Sequence, residues 1–130
     1  MIMSQSPTFV GMHPWPESQE IVGIVTGPSA VHVDLDDEYS VQGFCRDYVD
    51  RALVIRFASR GGSTVAKEAA LTFDSVENFT VEHVNEPAEE ADSFYGAAWQ
   101  SVGDRASFRV AIGLAILWFN ASGASWSTRE

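Results

Sequence analysis

The sequence predicts a mainly β protein: a single compact antiparallel β-sheet domain, a sandwich or half-barrel, with at most two short helices. Three observations carry that expectation. Short segments alternate apolar and polar residues with period two, most cleanly VHVDLD at 31–36 and ALVIRFAS at 52–59. Turn-forming stretches such as SRGGS at 59–63 punctuate them. The apolar run FRVAIGLAILWF at 108–119 is rich in β-branched residues and interrupted by Gly113. An α+β domain is the alternative, reached if residues 38–51 and 86–101 are both helical.

Residues 1–20 contain Pro7, Pro14 and Pro16 and show no period. They read as an extended arm that docks Phe9 and Trp15 on a single β-rich domain spanning 21–130. IVGIVT, from Ile21 to Thr26, is a strand ended by Gly27 and Pro28. In VHVDLD, Val31, Val33 and Leu35 face one way and His32, Asp34 and Asp36 the other. Residues 38–51 fit two templates. Val41, Phe44, Cys45, Tyr48 and Val49 match helical spacing, while Gly43 and the aromatic and β-branched content favour a strand from Tyr39 to Arg46. The strand is the preferred reading.

In ALVIRFAS, Leu53, Ile55 and Phe57 form an inner face and Arg56 points outward. ALTFDSVENFTVEHV reads as a hairpin, with Leu71 and Phe73 on one arm, Phe79 and Val81 on the other, and Val76 at its tip. NEPAEEADS is an acidic loop or the first turn of a short helix, in which Ala91, Phe94, Tyr95, Ala98 and Trp99 follow at helical spacing up to Gly103. The run at 108–119 reads as one long strand, bent at Gly113, with Phe108, Val110, Ile112, Leu114, Ile116 and Trp118 on one face. A strand apolar on both faces is a central one, covered on both sides. The other reading leaves Leu117, Phe119 and Trp126 as an exposed patch for a partner.

Charge excludes more than it identifies. There are 18 acidic residues against 8 basic ones, a net charge of −10. Such a surface repels phosphate backbones and argues against nucleic acid as a partner, while attracting a basic protein. From Val110 to Phe119 only ten apolar or glycine residues run together, short of the roughly 18 that a membrane helix needs. Cys45 is the single cysteine and the first residues show no secretory pattern, so a reducing, cytoplasmic setting is expected.

The candidate site residues are acidic. Asp34, Asp36, Asp37 and Glu38 form one cluster, and Glu86, Glu89, Glu90 and Asp92 a second. Both are read as contact surface for a basic partner, since gathered like charges cost stability that binding relieves. His32, Asp34 and Asp36 share the outward face of one strand, about 6.6 Å apart in succession. With a residue from a neighbouring strand such as His83 they form a weak metal-ligand pattern. No metal and no cofactor is expected, and no catalytic residue is assigned. Trp15, Trp99, Trp118 and Trp126 offer walls for an aromatic ligand pocket, or build the core.

ALVIRFAS followed by ALTFDSVENFTVEH resembles a pattern seen in small β-rich immunity proteins of bacterial polymorphic toxin systems. There a Leu-x-Ile-x-Phe strand precedes a Leu-x-Phe strand and a Val-x-x-Phe turn, and the matching residues here are Leu53, Ile55, Phe57, Leu71, Phe73, Val76 and Phe79. The match covers about a quarter of the chain. The resemblance implies a bacterial, cytoplasmic protein that binds and neutralises a toxin. The expected function is therefore non-catalytic protein binding, with an acidic surface occluding a basic partner. The alternatives are a small-ligand-binding or enzymatic β-barrel with an aromatic pocket, and a structural subunit that forms a homodimer through its C-terminal strand.

Overall fold

The computed structural model describes residues 8–10, 13–15, 20–26, 31–35, 38–61, 66–83, 93–113 and 115–129, with the backbone alone for 13–15, 20–26, 31 and 32. Twelve strands lie among them: β1 (Thr8–Val10), β2 (His13–Trp15), β3 (Glu20–Thr26), β4 (Val31–Asp34), β5 (Tyr39–Asp47), β6 (Ala52–Ser59), β7 (Glu68–Asp74), β8 (Glu77–His83), β9 (Phe94–Val102), β10 (Arg105–Ile112), β11 (Ala115–Ala121) and β12 (Gly123–Arg129). Among the described residues there is no helix, and so none long and apolar enough to cross a membrane.

The strands form two facing sheets that do not close into a barrel. The first runs β1-β12-β7-β6-β5, antiparallel except for β1 against β12. The body of the second is β9-β10-β11-β8, extended beyond β9 by β3 with β2 and β4 beside it. The expected arm thus contributes a strand to each sheet, and Phe9 docks against Trp99 with ring centroids 5.2 Å apart. The side chain of Trp15 lies outside the described residues.

Period-two alternation places the core. Leu53, Ile55 and Phe57 of β6, with Leu71 and Phe73 of β7, face Phe108 and Val110 of β10 and Leu117 and Phe119 of β11, all buried. Two aromatic clusters fill the two ends. Phe73 meets Phe108 at 5.0 Å and Phe119 at 4.8 Å at one end. At the other, Phe57 meets Tyr39 at 6.1 Å, Trp126 at 5.7 Å and Phe94 at 5.5 Å.

Several expectations are corrected. The run at 108–119 is two strands rather than one, since Gly113 forms part of the turn between β10 and β11. The turn reverses the phase. Leu117 and Phe119 point into the core, as Phe108 and Val110 do, and Trp118 points out. Leu117, Phe119 and Trp126 are buried, so they form no exposed patch.

Residues 94–102 form β9 instead of a helix. The ladder between β9 and β10 shifts register between Ala111 and Ile112. This bulge spaces the inward Phe94, Ala97 and Trp99 three and then two apart, and the first step imitates a helical one. A second bulge explains the ambiguity at 38–51. Between Val41 and Gly43 the register against β6 shifts, so Tyr39, Val41, Phe44 and Arg46 share the core-facing side. The preferred strand is correct there.

ALTFDSVENFTVEHV is no hairpin. Its arms β7 and β8 belong to different sheets, and the chain crosses from one to the other through Ser75 and Val76. A second crossing, from β11 to β12 through Ser122, lies beside it, with Ser122 N donating to Asp74 O at 3.0 Å.

The second crossing leaves room only for glycine. A Cβ on Gly123 would land on the carbonyl oxygen of Thr8, its register partner in β1. Gly123→Ala is expected to displace β1 and cost about 1–3 kcal/mol in urea denaturation, as overpacking does. Amide exchange at Phe9 and Val10 should speed up. Unchanged exchange there would show that β1 does not lie this close.

Candidate functional site

The sandwich has two ends of different character. At the loop end the chain passes from β4 in the second sheet to β5 in the first, and from β8 to β9; at the other, the crossing end, it passes between the sheets from β7 to β8 and from β11 to β12. Asp34 and Glu38, the described members of the first predicted acidic cluster, lie at the loop end. Val33 and Leu35 are buried and anchor them. The Glu38 carboxylate accepts from Asp34 N at 2.6 Å, Glu38 N donates to Asp34 O at 3.0 Å, and Arg60 N donates to Glu38 O at 3.0 Å. Asp34 is exposed and Glu38 half-buried.

Asp36, Asp37, Glu86, Glu89, Glu90 and Asp92 lie outside the described residues, as does the side chain of His32. The residues bracketing the second cluster are placed. His83 pairs with Ala115, and buried Ser93 accepts from Gly113 N at 2.9 Å, so both sit at the loop end. Asp34, Glu38, His83 and Ser93 thus share one end of the sandwich, a neighbourhood that spacing in the sequence did not reveal.

The weak metal pattern fares differently. Val25 pairs with both His13 and His32, and Glu20 with both Trp15 and Ala98, so β4 lies on the β9 side of β3. His83 is on β8 at the opposite edge, three strand spacings or roughly 14 Å from the β9 lane. It is too distant to complete a ligand set with the β4 positions 32 and 34. Among the described residues no three His, Cys, Asp or Glu side chains gather for a metal ion.

Trp99, Trp118 and Trp126 do not share a cavity either. Trp126 is buried in the core, Trp99 packs against Phe9 and Phe108, and Trp118 stands outside with the Arg109 guanidinium 5.5 Å from its ring centre. A groove of about 670 Å³ does exist on the outer face of the first sheet, where Arg56, Glu68 and Arg129 rise beside Ala58 and Ala70. Its chemistry is that of a charged, open surface. β12 carries β1 along Gly123–Ser125 only, which leaves its edge from Trp126 onward without a strand among the described residues.

The crossing end holds the residues that sequence reasoning missed. Three arginines converge there. Arg46 donates to Asp47 O at 2.9 Å, Ala52 O at 3.2 Å and Val76 O at 3.0 Å. Arg105 donates to Ser75 O and to Asn120 O, and pairs with Glu77 at 3.3 Å. Arg51 pairs with Glu77 at 2.7 Å, and its carbonyl accepts from Val76 N at 2.7 Å. These bonds hold a tight backbone, since Arg51, Ser75 and Asn78 all have φ near +55°, a region that L residues avoid at about 1–2 kcal/mol each.

The arginines are consumed by this work; the carboxylates around them are not. Asp50, Asp74 and Asp104 are exposed and form no ion pair among the described residues. Beside them the β5–β6 turn carries Tyr48 and Val49, 78% and 91% exposed. DYVDR did contain a signal, two apolar residues between aspartates where a turn belongs. Comparisons of the chain with family models, curated proteins and solved structures returned no match.

Proposed function

We propose that the chain is a non-catalytic protein-binding domain, an immunity-like inhibitor whose acidic surface occludes a basic partner in the cytoplasm. The observation that supports this reading is the charge left over after the fold is satisfied. All eight basic residues lie among the described ones. Arg46, Arg60 and Arg105 spend their guanidinium groups on backbone carbonyls, and Arg51 spends its own on Glu77. The excess carboxylates are therefore available to steer a cationic partner, which speeds encounter more than it tightens the final complex.

The test is a pull-down of the tagged full chain at low and high salt, followed by association kinetics with the partner it yields. Reversing the first cluster with Asp34→Lys and Glu38→Lys, or the second with Glu89→Lys and Glu90→Lys, should slow association by about tenfold or more and flatten the salt dependence. A partner whose binding ignores both reversals and the salt would sink this reading.

A further inference from the structure

We infer that the β5–β6 turn, residues 47–51, is the docking element of this domain: Tyr48 and Val49 enter an apolar cleft of the partner whose rim is basic. The inference rests on the binding function proposed above and adds the surface and the chemistry of what it meets.

Tyr48 and Val49 are the two most exposed large apolar side chains among the described residues, ahead of Val102 at 63%. A turn tip is ordinarily built from Gly, Asn, Asp or Pro, so water-facing Tyr and Val need a reason. They are also held in place. Asp47 Oδ1 accepts from Val49 N at 3.0 Å and from Asp50 N at 3.1 Å, closing the turn. Arg46 lies 4.8 Å from the centre of the Tyr48 ring, and its guanidinium is fixed by carbonyls of β6 and of the sheet crossing. Arg51 is tied to Glu77 on the opposite sheet and to Val76 in the crossing. Because the tip is ordered before binding, little rotamer entropy is lost on contact. Tyr and Arg at such a place are the residue types that dominate protein interfaces.

Charge selects the occupant. Asp50 in the turn, and Asp74 and Asp104 at the same end of the sandwich, are exposed without ion-pair partners among the described residues, while Arg46 and Arg105 turn to backbone carbonyls and the exposed Arg51 is paired with Glu77. A second copy of this chain would bring the same aspartates against them and be repelled. An apolar tip between Asp47 and Asp50, at an end of the sandwich with further unpaired carboxylates, fits a concave apolar site with a basic rim.

Photocrosslinking of the full chain in its native cells tests this. The photoreactive residue p-benzoylphenylalanine replaces Val49, or Glu38 at the loop end, or Trp118 on the outer face of the second sheet. The expected result is one adduct from position 49 and none from 118, mapped to a partner peptide that carries apolar and basic residues. Excess unlabelled wild type should suppress it, and Tyr48→Ser with Val49→Ser should need on the order of 30-fold more protein to do so. Thermal melting of that double variant should stay within a few degrees of wild type, since both side chains are exposed and only the Arg46 contact with the Tyr48 ring is lost. An adduct from 38 but not 49 would overturn the tip while leaving the acidic-surface reading intact. No adduct from either would overturn both. Equal adducts from 49 and 118, or equal suppression by the double variant, would mark the contact as nonspecific and also overturn the tip.

Discussion

Phe73→Ala removes about 3–5 kcal/mol of stability and lowers the melting temperature by something on the order of 15 °C. Phe73 is fully buried on β7 and meets Phe108 and Phe119 of the other sheet edge-on, at 5.0 and 4.8 Å. Truncation loses the transfer free energy of the ring and leaves a cavity walled by two aromatics that cannot collapse into it, because each belongs to a hydrogen-bonded strand. It also removes two edge-to-face contacts of about 0.5–1.5 kcal/mol each beyond area burial. A domain of ordinary stability holds only about 5–15 kcal/mol, so the variant approaches the limit of folding. Urea denaturation measures the loss directly. Phe73→Leu, which keeps most of the volume, should cost less than half as much. A loss below about 1 kcal/mol for Phe73→Ala would mean that the sheets do not pack through this ring.

Arg46→Met should cost about 2 kcal/mol, by a different mechanism. Methionine keeps much of the aliphatic stem and the packing opposite Leu53, so the change isolates the guanidinium. Three carbonyls lose a charged donor: Asp47 O, Ala52 O and Val76 O. Hydrogen bonds to charged groups contribute about 1.5–3 kcal/mol, reduced here because the site is only partly buried and water replaces some of them. The lysine variant should recover little, since one ammonium cannot span three carbonyls set around a planar fork. Amide exchange at Val76 should accelerate, and with it exchange at Val49, because the guanidinium also braces the Tyr48 ring. Wild-type stability and wild-type exchange at Val76 would show that the crossing holds itself together without Arg46. The Nε atoms of Arg46 and Arg105 are buried without a hydrogen-bond partner among the described residues, a cost tolerated because the other nitrogens of each fork are used.

What was legible in the sequence was local. In ALVIRFAS and ALTFD the step of two between Leu53, Ile55 and Phe57, and between Leu71 and Phe73, declared both the strands and their inner faces, and all five side chains are buried. Wherever a bulge interrupts the step, as at Gly43 and at the start of β9, the pattern slides toward three and imitates a helix. Turn chemistry had a similar limit. DSVEN looks the same whether the chain folds back on its own sheet or leaves for the other.

The sequence by itself thus determined the β content, most of the core and the acid excess, because alternation and charge are properties of neighbouring residues. Only the tertiary structure decided the rest. It sent β7 and β8 to different sheets, brought Asp34 and Glu38 to the same end as His83 and Ser93, and gathered Arg46, Arg51 and Arg105 at the other. Those outcomes depend on which strands pair and which face is covered, and strand pairing is settled by burial and backbone hydrogen bonds between residues far apart in the chain. The exposed Tyr48 and Val49 show the difference most directly. As sequence they fitted a helical spacing or, in the preferred reading, the turn after a strand from Tyr39 to Arg46; the fold makes them the tip of that turn, braced from behind and facing water.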